Sequence, residues 1–140
     1  MPEPYGMPIS LDSAQKAAAA AIAEALKNGW LMAVAVTDPS GELVYFAKMD
    51  GTQTGSVNVS IGKSRSAALF KRPTKVFQDM LASGGAGVRV LALERAVPIE
   101  GGVPLVINGE IVGGIGASGG SSDQDGVVAG AGAAALIAGS

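Results

Sequence analysis

Val103-Pro104-Leu105-Val106-Ile107-Asn108-Gly109-Glu110-Ile111-Val112-Gly113-Gly114-Ile115-Gly116-Ala117 is the stretch that decides the fold class. Two apolar, β-branched runs flank Asn108-Gly109, the pair best suited to a two-residue type I′ turn, because both of its positions need positive φ. The chain must fold back here as an antiparallel hairpin. A second hairpin lies upstream. Leu31 to Thr37 is a short β-branched run, and Asp38-Pro39-Ser40-Gly41 puts Asp, Pro and Gly where a type I turn wants them. Glu42 to Lys48 then returns as the partner strand. Two hairpins argue for a central antiparallel sheet packed with helices, an α+β fold, rather than a doubly wound parallel sheet.

The remaining segments read as helices. Ser10 is placed to cap a helix whose stripe of Leu11, Ala14, Ala18, Ala21, Ile22, Ala25 and Leu26 ends at Asn28-Gly29. Ser56 to about Phe70 forms a second helix, stopped by Pro73, and Thr74 is placed to cap a short third helix that ends at Ser83-Gly84-Gly85. Arg89 to Pro98 is compatible with a strand or with irregular structure. Ser121 and Gln124 have capping-box spacing, and Asp125 adds charge to the first turn of a last helix reaching about Ala138. Residues 1–9 read as a loose lead and 10–140 as a single domain, the size that 140 residues support. Apolar residues make up 48% but aromatics only 4%, so elements must approach through small side chains.

A net charge of −2 gives no field to hold a nucleic acid. Met1 to Pro8 lacks the charge and apolar run of a signal peptide, and Gly126 to Ser140 is too short and glycine-rich to span a bilayer, so a cytoplasmic location is expected. With no cysteine and no histidine, disulfides, thiolate chemistry and zinc–sulfur sites are excluded. Chemistry would fall to Asp, Glu, Lys or Tyr with shifted pKa values.

Gly114-Ile115-Gly116-Ala117-Ser118-Gly119 matches a dinucleotide fingerprint, but no second parallel strand and no acid beyond Asp125 follow it, so close packing on the strand is the better explanation. Between Gly51 and Gln78 no acid occurs, while Lys63, Arg65, Lys71, Arg72 and Lys75 supply half of the ten basic residues, either as a solvated face or as a seat for an organic anion. Lys63 and Arg65 point apart on a helix, so Lys63, on the face of Ser60 and Ala67, is the pocket candidate. Asp50 follows a strand end and suits a turn. Asp123, Gln124 and Asp125 match no established metal loop and read as caps, so no metal is expected.

Met49-Asp50-Gly51, Lys63-Ser64-Arg65-Ser66-Ala67-Ala68 through Arg72-Pro73-Thr74, Gly101-Gly102-Val103-Pro104, Gly113-Gly114-Ile115-Gly116 and Asp123-Gln124-Asp125, in that order, resemble the GlcG/HbpS, haem-binding-protein-like family. The resemblance implies a profilin-like α/β/α arrangement around a five-stranded antiparallel sheet, assembled into homo-oligomers. It also implies small-molecule binding, with haem or corrinoid-related ligands in some members. Haem-binding relatives tend to place a histidine at the iron; here Tyr5, Tyr45, Met49 or no protein ligand would have to serve. The leading expectation is a binder of a small anionic organic molecule at Met49, Asp50, Lys63, Gly101 and Gly102, completed by a neighbouring subunit. The rival is a cofactor-independent isomerase, lyase or hydrolase in which Asp50 or Asp123 acts as base and Lys63 stabilises negative charge. A third is an assembly subunit, suggested by Gly130 and Gly132 in the last helix.

Overall fold

The computed structural model describes the backbone of residues 2–139 and the side chains of residues 2–137. The elements are α1 (Leu11–Asn28), β1 (Ala33–Thr37), β2 (Leu43–Lys48), α2 (Ser56–Phe70), α3 (Thr74–Ala82), a 3₁₀ segment (Gly85–Ala92), β3 (Gly102–Ile107), β4 (Glu110–Ser118) and α4 (Ser122–Gly139). Their termini follow local chemistry. Ser10 accepts the Ser13 N–H at 3.1 Å, and Gly29 closes α1 at φ 74°. Asn108 and Gly109 take φ of 52° and 77°, as a type I′ turn requires. In the first hairpin Gly41 donates to the Asp38 carbonyl at 2.9 Å, and the Asp38 carboxylate accepts from Ser40 at 2.8 Å and Glu42 at 3.1 Å. Thr74 departs from its expected role. Pro73 occupies the cap and Thr74 is the first helical residue, its hydroxyl accepting the Gly102 N–H at 2.9 Å instead.

The sheet is antiparallel throughout, in the order β2-β1-β4-β3. It has four strands, not the five expected. The stretch left open at Arg89 to Pro98 satisfies its amides locally: Leu93 donates to Val90 and Ala96 to Leu93, and Val97 donates to the Ser66 hydroxyl at 3.0 Å. A segment whose donors are already used has no ladder to offer. The lead, expected to be loose, is tied to the sheet. Gly6 N donates to Ile111 O, Ile111 N to Pro4 O and Ile9 N to Val112 O, which forms one parallel bridge at Tyr5 rather than a strand. It occupies the edge that β4 leaves open where β1 ends at Thr37.

Helices cover both faces. Every residue of β1 is buried, as befits a strand covered on both sides. On one face α1 and α4 pack over Ile115 and the buried alanines Ala14, Ala17, Ala18, Ala21 and Ala25; on the other, α2 lies across β4, β1 and β3. Gly130 and Gly132, singled out from the sequence in α4, differ. A methyl at Gly132 would stand 2.8 Å from the Ala17 carbonyl oxygen and against Ile115, whereas nothing lies within 4 Å of one at Gly130. Of this pair, Gly132 is the one that lets the helices approach.

Opposite signs are therefore expected two residues apart. Gly130→Ala should stabilise by roughly 0.5–1 kcal/mol through helix propensity, and Gly132→Ala should destabilise by about 1–3 kcal/mol through overpacking. Urea midpoints of the two variants decide this, and shifts in the same direction would refute the packing described.

Candidate functional site

The buried face of α2 is Ser56, Ser60, Lys63, Ser64, Ser66, Ala67 and Ala68, small or polar almost throughout. It is buried because it lies on glycine. Gly102 and Gly116 are register partners, as are Pro104 and Gly114. A methyl at Gly102, Gly114 or Gly116 would collide with the carbonyl oxygens of Lys63, Ser64 and Ser60 respectively. Helix backbone thus rests directly on strand backbone, and the G-x-G-x-x-G match is a packing device. The hydroxyls in between are satisfied: Ser64 Oγ donates to Gly114 O at 2.9 Å and lies 2.8 Å from Thr37 Oγ1.

From this face Lys63 reaches past the end of the sheet into the other helical layer. Its side chain is 1% exposed, and Nζ donates to Asp125 Oδ2 at 2.8 Å and to Ala117 O at 3.1 Å. Asp125, in the first turn of α4, is 3% exposed and accepts the Gly120 N–H at 2.9 Å through its other oxygen. Gly101, at φ 131°, makes room for the pair, since a methyl there would lie 2.7 Å from Lys63 Nζ and 2.8 Å from Asp125 Cβ. Burial pushes the Asp125 carboxyl above its ordinary 3.8; Lys63 and the Gly120 and Gly119 amides oppose this only in part.

Of the residues singled out from the sequence, the structure gathers Lys63, Gly101 and Gly102. Met49 and Asp50 lie beside the start of β1: Met49 Sδ accepts the Met32 N–H at 3.4 Å, and Asp50 is exposed. Among the described residues neither is bonded to Lys63. Asp123 is not the acid that meets Lys63. It is exposed and accepts from the Ser121 hydroxyl at 2.6 Å, a bond that with neighbouring amides holds its carboxyl below the usual range. Asp125, read from sequence only as helix-start charge, is the partner that was missed. The two residues are 62 positions apart, so no local spacing could pair them. The available signal was a lysine framed by Ser60, Ser64 and Ala67.

The five positive charges of the acid-free segment now separate. Lys63 is neutralised inside, Lys75 pairs with Asp79 at 2.8 Å, and Arg65 Nε donates to Gly41 O at 2.9 Å. Lys71 and Arg72 remain, and with Pro2 and Val76 they line a surface cleft of about 340 Å³. Both are positioned. Lys71 Nζ stands 4.5 Å over the Tyr5 ring, and Arg72 lies 5.7 Å over Phe77 while its Nε donates to Phe70 O at 2.8 Å. The Tyr5 hydroxyl donates to Ala68 O at 2.6 Å and Leu69 O at 3.1 Å, closing the end of α2. The Tyr5 hydroxyl and the Met49 sulfur are thus both engaged within the fold, and Tyr45 packs half-buried against the core. No group of three or more acids suited to a metal occurs among the described residues.

Residues 9–134 match the family described as haem degrading protein HbpS-like. This chain belongs to that GlcG/HbpS family. It is 38% identical over 110 residues to protein GlcG of Escherichia coli K12, covering 79% of this chain and 81% of the relative. Among solved structures, a double mutant of Streptomyces reticuli HbpS superposes with a TM-score of 0.85 at 32% identity, covering 94% of this chain and 88% of the other. Klebsiella pneumoniae protein ORFY gives 0.86 at 27% identity, covering 95% and 93%.

Removing one member of the Lys63–Asp125 pair should cost about 3–5 kcal/mol, while the double variant Lys63→Met, Asp125→Leu should lose far less than the sum. A group whose folded pKa is raised favours the fold while protonated, and that support fades as pH rises from 3.8 through its folded value. The deficit of Lys63→Met relative to wild type should therefore shrink on acidification, when Asp125 can take a proton. Denaturant titrations between pH 4 and 8 measure this, and a pH-independent deficit would count against it.

Proposed function

We propose that this family member binds a small anionic organic molecule in the Lys71–Arg72 cleft, working in the cytoplasm as a homo-oligomer. The observation that carries the reading is the sorting of charge: of five basic residues in an acid-free segment, two face a concave surface with apolar Val76 and Pro2 beside them. Fixed cations next to apolar wall suit an anion with a hydrocarbon or ring body. Arg72, held by Nε and by Phe77, brings a forked donor already oriented, so little freedom is lost on binding. The family's description points the same way, towards haem, itself an amphipathic dianion. Haem at this cleft would be held by its carboxylates and not by a protein iron ligand.

This relocates the site expected from sequence. Lys63 does not serve the ligand directly, because its ammonium is spent on Asp125 and Ala117. Lys63, Gly101 and Gly102 act as the support that fixes α2, whose last turn leads into the cleft. Asp50, Met49 and Asp123 lie outside it. The enzyme alternative draws on the Lys63–Asp125 pair, since a carboxyl kept above its ordinary range beside an ammonium is a familiar acid–base arrangement. Acid–base work requires substrate within hydrogen-bond reach, and closure at 3% exposure keeps it out. Binding is the better supported reading.

Equilibrium titration with haem and with a panel of di- and tricarboxylates should give saturable binding. Arg72→Glu and Lys71→Glu should each weaken it by at least about tenfold, the worth of one charge-assisted hydrogen bond. Asp50→Asn should leave it unchanged. Absence of saturation with every probe, or indifference to both reversals, would sink the proposal.

A further inference from the structure

A carboxylate partner cancels a cation, whereas an aromatic face holds one and leaves its charge to act elsewhere, because the ring has a quadrupole but no net charge. Lys63 and Lys75 are of the first kind, bonded to Asp125 and Asp79, each at 2.8 Å. Lys71 and Arg72, which line the cleft, are of the second, set against the rings of Tyr5 and Phe77. Phe77 has a structural reason for its place, being buried edge-on against Phe70 at 5.3 Å. Tyr5 is not a core residue. It is 41% exposed and belongs to the N-terminal lead, far from Lys71 in sequence.

The Tyr5 ring is fixed from both ends. On the backbone side, Ile111 N donates to Pro4 O at 2.8 Å and Gly6 N to Ile111 O at 2.9 Å, which pins the residues flanking Tyr5 to β4. At the other end its hydroxyl donates to Ala68 O and Leu69 O, carbonyls of the last turn of α2 that lack partners within the helix. Burial pushes the phenol above its ordinary 10.0, so it stays a donor through neutral pH. The ring is thereby tied to the turn that carries Lys71. Lys71 itself follows α2 at φ 56° and ψ 32°, a left-handed conformation for which glycine is the usual choice. A β-carbon is kept here despite backbone strain, and what it carries is an ammonium 4.5 Å above the Tyr5 ring.

We propose that Tyr5 is a positioning residue for anion binding: its ring, anchored through the hydroxyl to the end of α2, holds the Lys71 ammonium at the cleft with its charge intact. The inference rests on the binding reading above. A free lysine loses rotamer freedom when it grips an anion, whereas one already held over a ring has lost that freedom on folding. Tyr5 acts through Lys71 and not on the anion itself. The N-terminal lead, whose Pro2 also lines the cleft, is on this account part of the binding site.

A double-mutant cycle of Tyr5→Leu and Lys71→Met, titrated with haem and with the di- and tricarboxylates of the panel, tests the inference; methionine keeps a side chain at the left-handed position, so backbone strain is constant. Tyr5→Leu should weaken binding about fivefold, the upper end of what an exposed cation–ring contact is worth. In the Lys71→Met background the same change should alter affinity by less than about twofold. Tyr5→Phe, which keeps the ring, should bind within about twofold of wild type. The contact has its own signature in proton NMR. Ring-current shielding should move the Lys71 ε-methylene signal, assigned by its absence in Lys71→Met, upfield of other lysines in wild type and in Tyr5→Phe but not in Tyr5→Leu. That shift is read in wild type itself, so the inference stays testable should Tyr5→Leu unfold. Wild-type affinity in Tyr5→Leu, an equal loss with and without Lys71, or an unshifted Lys71 signal would each overturn it while leaving the binding reading in place. No saturation of wild type by any probe would remove the binding reading and the inference together, so the two failures are distinguishable.

Discussion

The backbone of α2 rests on Gly102, Gly114 and Gly116 with no side chain between, and the architecture on that face of the sheet depends on this contact. Ordinary helix-on-sheet packing is spaced by interdigitating aliphatic side chains; here three absent Cβ atoms let carbonyl oxygens of Ser60, Lys63 and Ser64 settle onto the strands. So close an approach leaves room only for small residues on the helix, and the serines and alanines of its buried face follow. It also sets how far a lysine can reach. Lys63 stands where its four-carbon stem passes the end of the sheet, with Gly101 clearing the path.

The ion pair that results joins the two helical layers around the sheet. Asp125 ties it to the start of α4, the Ala117 carbonyl to the end of β4, and the Gly120 amide to the turn between them. A pair this deeply buried need not stabilise the fold relative to an apolar replacement. Its effect is better described as register: α2 and α4 each have one rotation and one axial position at which the ammonium meets the carboxylate.

Legibility in the sequence followed how local the determining chemistry was. Asn108-Gly109, Asp38-Pro39-Ser40-Gly41, Ser10 and Gly29 act over a few residues, and the hairpins and the ends of α1 could be read directly. The packing of α2 could not, since Ser56, Ser60 and Lys63 look like a solvated face until the glycines opposite them are known. Asp125 resembled a helix-start charge because it also sits where one would. The count of strands was an expectation from the family resemblance. It failed at a segment whose amides find Val90, Leu93 and Ser66 before any neighbouring strand. Thr74 was placed correctly at the start of α3, but its hydroxyl serves Gly102.

The strand order has a consequence for how the chain reaches this state. β1 pairs locally with β2, but its other edge must await β4, with Thr37 joined to Gly114 and Ala33 to Ser118. Such non-local closure is slow, because loop entropy is lost before any contact rewards it. During synthesis the alanine face of α1 and the inner edge of β1 emerge long before their partners, so the first hairpin and helix spend the whole of translation as an open, half-covered sheet. Completion is therefore a late event, in which the β3–β4 hairpin docks along β1 through β4 and α4 closes over α1.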